Sequence, residues 1–381
     1  MEFPINRFKE IETPFYYYDL DLLQATLGQI AACVAGTPFK VHYAIKANAN
    51  KRILQAVRDA GLGVDCVSGG EISAALSAGV DPGKIVFAGV GKTDKEIILG
   101  IDSGIACFNA ESLPELEAIN SIAAQRHKVA NVAIRVNPNI DAHTHRYITT
   151  GLNENKFGVN LDQLDDVVGK TLAMSNLSLT GLHFHIGSQL LDLTPFEMLC
   201  RKANELQDAL NSQGVTLKSI NVGGGLGIDY DNPDANPIPR FEEYFGIFKR
   251  QMRLRPGQEL HFEPGRSVVA QCGSLITRVT YVKEGSVKKF VILDAGMTDL
   301  IRPALYQAHH KIENISAQCR GTDTYDVVGP VCESSDCFGV DQTLPTTRRG
   351  DFIALRSAGA YGQIMASQYN CRPLPKDVYS I

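Results

Sequence analysis

From about residue 28 to residue 266 the chain repeats one alternation: a short apolar run of strand character, then a longer amphipathic or polar stretch of helix length. The runs are Val41 to Lys46, Gly63 to Val67, Lys84 to Ala88, Gly104 to Asn109, Asn131 to Asn137, Thr180 to Ile186, Lys218 to Gly223 and Glu259 to Glu263. Eight such strands over roughly 240 residues are what a closed (β/α)8 barrel requires, with an open doubly wound sheet as the alternative. After Arg266 the pattern changes to short runs broken by turn residues, Leu275 to Val282, Phe290 to Leu293, Tyr325 to Val328 and Asp351 to Leu355, which reads as all-β. The aromatic run Phe15 to Tyr18 precedes the barrel and has the composition of a strand that can pair with that β region. The expected organisation is α/β: a barrel over 28–266, and a β-domain built from 1–27 and 267–381.

With 381 residues, 44% hydrophobic and 21% charged, the chain can bury a large core. A net charge of -5 without a long basic run gives no electrostatic footprint for nucleic acid or an anionic membrane. No apolar run approaches the roughly 18 residues of a membrane span, and the start lacks a secretory pattern, so a cytoplasmic protein acting on small molecules is expected. Nine irregularly spaced cysteines argue for reduced thiols, most of them in the core. Cys332 and Cys337 form a lone C-x4-C, and His309 and His310 are adjacent without a carboxylate cluster; no metal site is assigned.

Polar and glycine-rich motifs cluster at the C-terminal ends of the expected strands, where barrel active sites are built. Lys46 ends the first; an ammonium there is either solvent-bound or the amine of a Schiff base. Asp65 and Ser68-Gly69-Gly70-Glu71 lie at the second, and His183 to Gln189, containing His185 and Ser188, straddles the sixth. Gly223-Gly224-Gly225-Leu226-Gly227 follows the seventh. It fits no G-x-G-x-x-G register, because Ile228 and Tyr230 occupy the required glycine positions; it is either a phosphate cradle or a tight turn. Glu263-Pro264-Gly265-Arg266 ends the eighth, offering an acid that can keep a pyridine nitrogen protonated and an arginine for an anion. His185 is a ring that can stack on an aromatic cofactor or a satisfied interior histidine. An imine-forming amine, a ring-nitrogen partner, a ring stacker and a phosphate cradle together describe a site for pyridoxal 5'-phosphate (PLP).

These stretches, with Tyr43 to Asn48, Gly151 to Gly158, Arg302 to Tyr306, Cys332 to Asp336 and Gly359 to Gly362, follow one another in the order of a known family. The whole chain resembles the barrel-type (fold type III) PLP-dependent amino-acid decarboxylases, and within them the diaminopimelate decarboxylases. The resemblance implies that Lys46 carries the cofactor, His185 stacks on its ring and Glu263 pairs with the ring nitrogen. It places Asp65 and Gly265 at the cofactor too, and Ser188, Gly224, Gly225 and Arg266 around the phosphate, with Tyr361 reaching in from the β-domain. It implies a head-to-tail homodimer with sites at the interface, so that Cys332, as proton donor, and Glu333 would enter the other subunit's site. The chain is compact for this family and lacks tryptophan.

Charge gives an independent reading of the substrate. Arg302 offers a bidentate clamp for a carboxylate, whereas a decarboxylase of ornithine or arginine needs acids for a cationic end. Glu333 can pair with an ammonium beside that carboxylate, and Tyr306, four residues after Arg302, can reach the same end if the segment is helical. Arg266 and Tyr361 complete the expected substrate contacts. An amino acid at each end describes meso-diaminopimelate, and loss of CO2 would give L-lysine, the last step of lysine biosynthesis. An ordinary thiol, with a pKa of about 8.5, is mostly protonated at neutral pH and so suits the proton-donor role the resemblance gives Cys332. A sister decarboxylase acting on ornithine, arginine or carboxynorspermidine, a PLP-dependent racemase and a non-catalytic PLP-binding protein remain as alternatives.

Overall fold

The computed structural model describes residues 2–140, 156–318 and 321–380. They form two compact units, Thr26–Gly227 with Arg240–Gly265, and Met1–Ala25 with Ile228–Pro239 and Arg266–Ile381. The segment Ile228–Pro239 goes with the second unit although it lies within the span expected for the barrel.

The first unit is a closed barrel of eight parallel strands, Phe39–Ala44, Gly63–Cys66, Ile85–Phe87, Cys107–Ala110, Ala130–Arg135, Leu177–His183, Ser219–Asn221 and Glu259–Phe262. The eighth closes on the first, with Phe39 opposite Leu260 and Val41 opposite Phe262. Alternation along the eighth strand puts Leu260 and Phe262 on one face and Glu259, His261 and Glu263 on the other. Phe262 packs against Tyr244, Phe245 and Phe248 of the helix Phe241–Gln251, at centroid separations of 5.8, 4.9 and 5.0 Å. Burial of these aromatics anchors that helix to the barrel wall.

All eight expected runs contain strands, but several observed strands stop earlier. The first ends at Ala44, so Lys46 is not a strand residue; it lies on the 3-10 turn Ile45–Ala47, with its side chain exposed. The strand ladder ends here because Ala44 is the last residue opposite the second strand, facing Asp65. Strand six ends at His183 and strand eight at Phe262, leaving His185 and Glu263 on the following loops. The Ser68-Gly69-Gly70-Glu71 motif is a helix start: Ser68 accepts from Glu71 N at 3.2 Å, and the Glu71 carboxylate accepts from Val67 N at 2.7 Å.

The second unit is an eight-stranded sheet ordered Ile312–Asn314, Phe352–Leu355, Gly273–Glu284, Lys289–Leu293, Thr322–Val328, Cys337–Pro345, with Phe15–Tyr18 and Lys376–Tyr379 attached through Gly273–Glu284. Phe15–Tyr18 runs antiparallel to Gly273–Glu284 and parallel to Lys376–Tyr379, the pairing its aromatic composition suggested. Phe8, Phe15, Tyr17, Ile276, Phe352, Ala354 and Val378 form a core cluster on one side of it. Among the described residues eight cysteines are free thiols, four of them buried rather than the expected majority, and no helix is long and apolar enough to cross a membrane.

Candidate active site

At the C-terminal end of the barrel a buried carboxylate sits inside a cage of donors. Glu263 accepts from His183 Nε2 at 2.9 Å, Asn109 Nδ2 at 3.1 Å and Asn221 Nδ2 at 2.7 Å. Burial alone would raise its pKa, but the His183 charge and hydrogen bond, with Asn221, hold the carboxyl well below the usual range, so it is an anion at neutral pH. The side chains come from the ends of strands four, six, seven and eight, so closing the barrel is what assembles the cage.

Asp65, 2% exposed, has the opposite fate. Burial and the neighbouring Glu263 push its carboxyl well above the usual range against the lowering influence of Lys46, and its Oδ1 has no hydrogen-bond partner. His185 is driven well below its ordinary pKa by burial and by the Lys46 and Arg135 charges, which leaves a neutral ring. Its Nδ1 accepts from Gly224 N at 3.3 Å.

The glycine run is explained first by packing. A Cβ at Gly224 would lie 2.2 Å from Glu263 O, and one at Gly223, at φ +68°, would lie 2.3 Å from Phe184 O. Only glycine lets the three loops approach this closely. The sequence offered this run as a phosphate cradle or a tight turn, and the close packing accounts for the glycines by itself. Gly265 is less tightly held, with its Cβ position 3.1 Å from Ala44 Cβ. Ser188 lies at a bend in the loop after strand six and is half-buried.

In the second unit two buried arginines meet at one phenol. Tyr230 Oη accepts from Arg266 Nη1 at 2.7 Å and from Arg302 Nη1 at 3.0 Å. Arg266 also lies over the ring of Tyr361, 5.0 Å from its centroid. Tyr361 has a left-handed backbone at φ +57°, uncommon for an aromatic residue and typical of a functional position. The segment Arg302–Tyr306 is helical, as the placement of Tyr306 required. His310 accepts from Arg302 at Nε2, 3.0 Å, and donates from Nδ1 to Arg356 O, 2.9 Å; burial and the Arg302 charge bring its pKa down to about 3.

Cys332 and Glu333 are exposed, on a loop closed from below by Asp336, whose carboxylate accepts from Val331 N at 2.7 Å and Met297 N at 2.6 Å. Glu333 accepts from Tyr369 Oη at 2.7 Å, and none of its hydrogen bonds reaches Arg302. Within one chain the structure thus gathers Lys46, Asp65, His185 and Glu263 into one cluster, and Arg266, Arg302 and Tyr361 into another, while Cys332 and Glu333 stand apart. Of the matching stretch Gly151 to Gly158, residues 151–155 lie outside the described residues.

Sequence reasoning missed Asn109, Asn221, Arg135 and Tyr230, and gave His183 no role. For Asn109, His183 and Asn221 a signal was present: polar side chains ending apolar strands. Tyr230 had none.

The donor set fits a phosphorylated pyridine aldehyde: an amine, a buried anion for a protonated ring nitrogen, a neutral ring and a glycine cradle. Fold and site define the class of barrel PLP enzymes. A family profile described as pyridoxal-dependent decarboxylase, pyridoxal binding domain, matches residues 20–270. A diaminopimelate decarboxylase of Bacteroides thetaiotaomicron is 59% identical over 98% of this chain and 97% of its own length. The crystal structure of the Helicobacter pylori diaminopimelate decarboxylase complexed with L-lysine superposes with a TM-score of 0.94 at 42% identity, covering 99% of this chain and 94% of that one. That of the M. jannaschii enzyme, also with L-lysine, gives 0.91 at 37% identity over 99% and 89%. The chain belongs to the PLP-dependent decarboxylases and, within them, to the diaminopimelate decarboxylase family.

Proposed function

We propose that this chain decarboxylates meso-diaminopimelate to L-lysine, with Lys46 as the residue that holds the cofactor and Cys332 of a second copy as the proton donor. The observation that carries this reading is Glu263: a buried carboxylate kept ionised by three donors, in the same electrostatic cluster as Lys46.

When bound, PLP supplies an electron sink for the pair left behind as CO2 departs. Lys46 offers the amine for its aldehyde, and Glu263 would keep its ring nitrogen protonated. The neutral His185 gives an uncharged surface for the ring. Gly224, Gly225, Ser188, Arg266 and Tyr361 are the residues we assign to the phosphate, and Asp65, its carboxyl pushed upward by burial and Glu263, is assigned to the cofactor as well. Arg302 takes the distal carboxylate of the substrate, supported by Tyr306, and Glu333 of a second copy takes the distal ammonium. The exposure of Cys332 and Glu333 on a loop braced by Asp336 suits residues that act on a neighbouring subunit. The lysine complexes of the two relatives are consistent with a product of this chemistry.

Two experiments test this. Offered meso-diaminopimelate, L-ornithine, L-arginine and carboxynorspermidine together, the PLP-loaded protein should yield lysine as dominant product; putrescine, agmatine or norspermidine instead would overturn the substrate assignment. Lys46→Ala and Cys332→Ala should each be nearly inactive, the second with cofactor still bound. Mixed in equal amounts after subunit exchange, they should regain about a quarter of the wild-type sites, as one complete site per mixed dimer requires. No recovery would remove the shared site.

A further inference from the structure

Two like charges converging on one neutral oxygen are costly unless the oxygen has a purpose. Arg266 and Arg302 are 7% and 6% exposed, and both donate through Nη1 to Tyr230 Oη. Both guanidiniums also lie over the Tyr230 ring, at 5.9 and 5.3 Å from its centroid. Burial raises the Tyr230 phenol, but the two guanidinium charges outweigh it and lower its pKa. The phenol oxygen therefore acts as the shared acceptor that lets the two cations stand together.

Tyr230 is itself fixed from two sides. Its ring meets His310 edge-on at 5.3 Å, and His310 in turn holds Arg302 Nη1. Four residues on, Asp234 makes a two-oxygen pair with Arg356, at 2.7 and 3.1 Å, and the carbonyl of Arg356 takes the His310 proton. The circuit Asp234, Arg356, His310, Arg302, Tyr230 closes on the segment Ile228–Pro239. It fixes Nη1 of Arg302 by two hydrogen bonds, and among the described residues nothing accepts from its Nε or Nη2. That free edge has the geometry for bidentate carboxylate binding.

We infer that Tyr230 is a positioning residue for substrate specificity: its hydroxyl sets the Arg302 fork for the distal carboxylate and ties it to Arg266. The inference rests on the assignment of Arg302 to that carboxylate. It follows that a ligand with the distal carboxylate depends on the Tyr230 oxygen and a ligand without it does not. A fork held in advance loses less freedom on binding, so the effect appears in affinity more than in turnover.

The test is Tyr230→Phe, which keeps the ring and removes the oxygen. KM for meso-diaminopimelate and the inhibition constant of L-lysine, which keeps that carboxylate, should rise about tenfold to a hundredfold. The inhibition constant of cadaverine, which has none, should stay within about twofold, and kcat within about threefold. Equal weakening of lysine and cadaverine, or no change for lysine, overturns the inference. Arg302→Lys separates it from its premise: if that variant also leaves lysine binding unchanged, the assignment of Arg302 is what fails. Independently of turnover, tyrosinate titration of the cofactor-free protein should show one of the 13 tyrosines ionising before the rest, a step absent from Tyr230→Phe. A wild type in which no tyrosine ionises early speaks against the shared oxygen, whether or not the variant folds.

Discussion

A glutamate stands at each end of barrel strand eight, Glu259 as its first residue and Glu263 just past its last, and the two ends treat their histidine neighbours in opposite ways. At the C-terminal end every contact of Glu263 has a donor, and the carboxyl is locked as an anion. At the N-terminal end three contacts run in a line: His42 Nδ1 with Lys84 O at 3.2 Å, His42 Nε2 with His261 Nδ1 at 3.1 Å, and His261 Nε2 with Glu259 at 3.1 Å. Each contact needs a proton, and two neutral imidazoles carry two. Burial brings His42 down to about 4 and lowers His261 as well, so the line is one proton short at neutral pH. A cavity of about 680 Å³, lined also by Lys40, Lys84 and Lys218, opens on this end. Donors on neighbouring strands thus fix a buried charge at one end, whereas at the other the same residue types line the seam where strand one meets strand eight.

The comparison breaks most visibly at Glu263. Glu263→Gln keeps the shape and removes the charge that would hold a ring nitrogen protonated, so kcat should fall on the order of 10²–10³-fold. Turnover within threefold of wild type would sink the distinction between the two ends. His183→Phe leaves that charge buried with one donor fewer. Denaturant unfolding of the cofactor-free protein should show a loss of about 3 kcal/mol, and an unchanged midpoint would mean that the two asparagines suffice.

How far each end was legible from sequence follows from what kind of information it uses. The barrel was readable because eight apolar runs repeat at a regular spacing, and Glu263 was readable because it ends one of them. The cage was not, because Asn109, His183 and Asn221 come from three other strands and meet only through closure. Lys46 fell two residues beyond the ladder, since strand ends depend on a partner's register rather than on local apolarity. Tyr230 was invisible for a stronger reason: its partners lie 36 and 72 residues away. Its role comes from two charges converging on its oxygen, and no local pattern encodes that.

The N-terminal end should respond to pH. His42 titrates at about 4 in the folded chain and near its ordinary 6.5 when unfolded, so the unfolded state binds the proton first as acid is added. Stability is full above about pH 6.5 and is lost as pH falls toward 4, by about 2–3 kcal/mol. The groups around this ring are His261, which lowers it further, and Glu263 and Glu259, which oppose the shift. His42→Gln should flatten the melting temperature over that window while leaving the pH dependence of turnover unchanged. A wild-type slope retained in the variant would move the sensitivity to another buried histidine, His310 being the next candidate.

The smallest effect belongs to Glu259, and its smallness is what sharpens the contrast. Its side chain is 43% exposed, and its partners are Lys40 at 3.4 Å, itself 54% exposed, and His261. Burial raises its carboxyl, but His261 and Lys40 outweigh that and lower it. Water screens such a pair, so Glu259→Gln should change stability by about 0.5 kcal/mol or less and leave turnover untouched. The amide can still face His261 and accept its proton, which is all the seam asks of that position. A loss comparable to that of His183→Phe would mean that the seam depends on a full negative charge, and that the two ends of strand eight differ in exposure but not in kind.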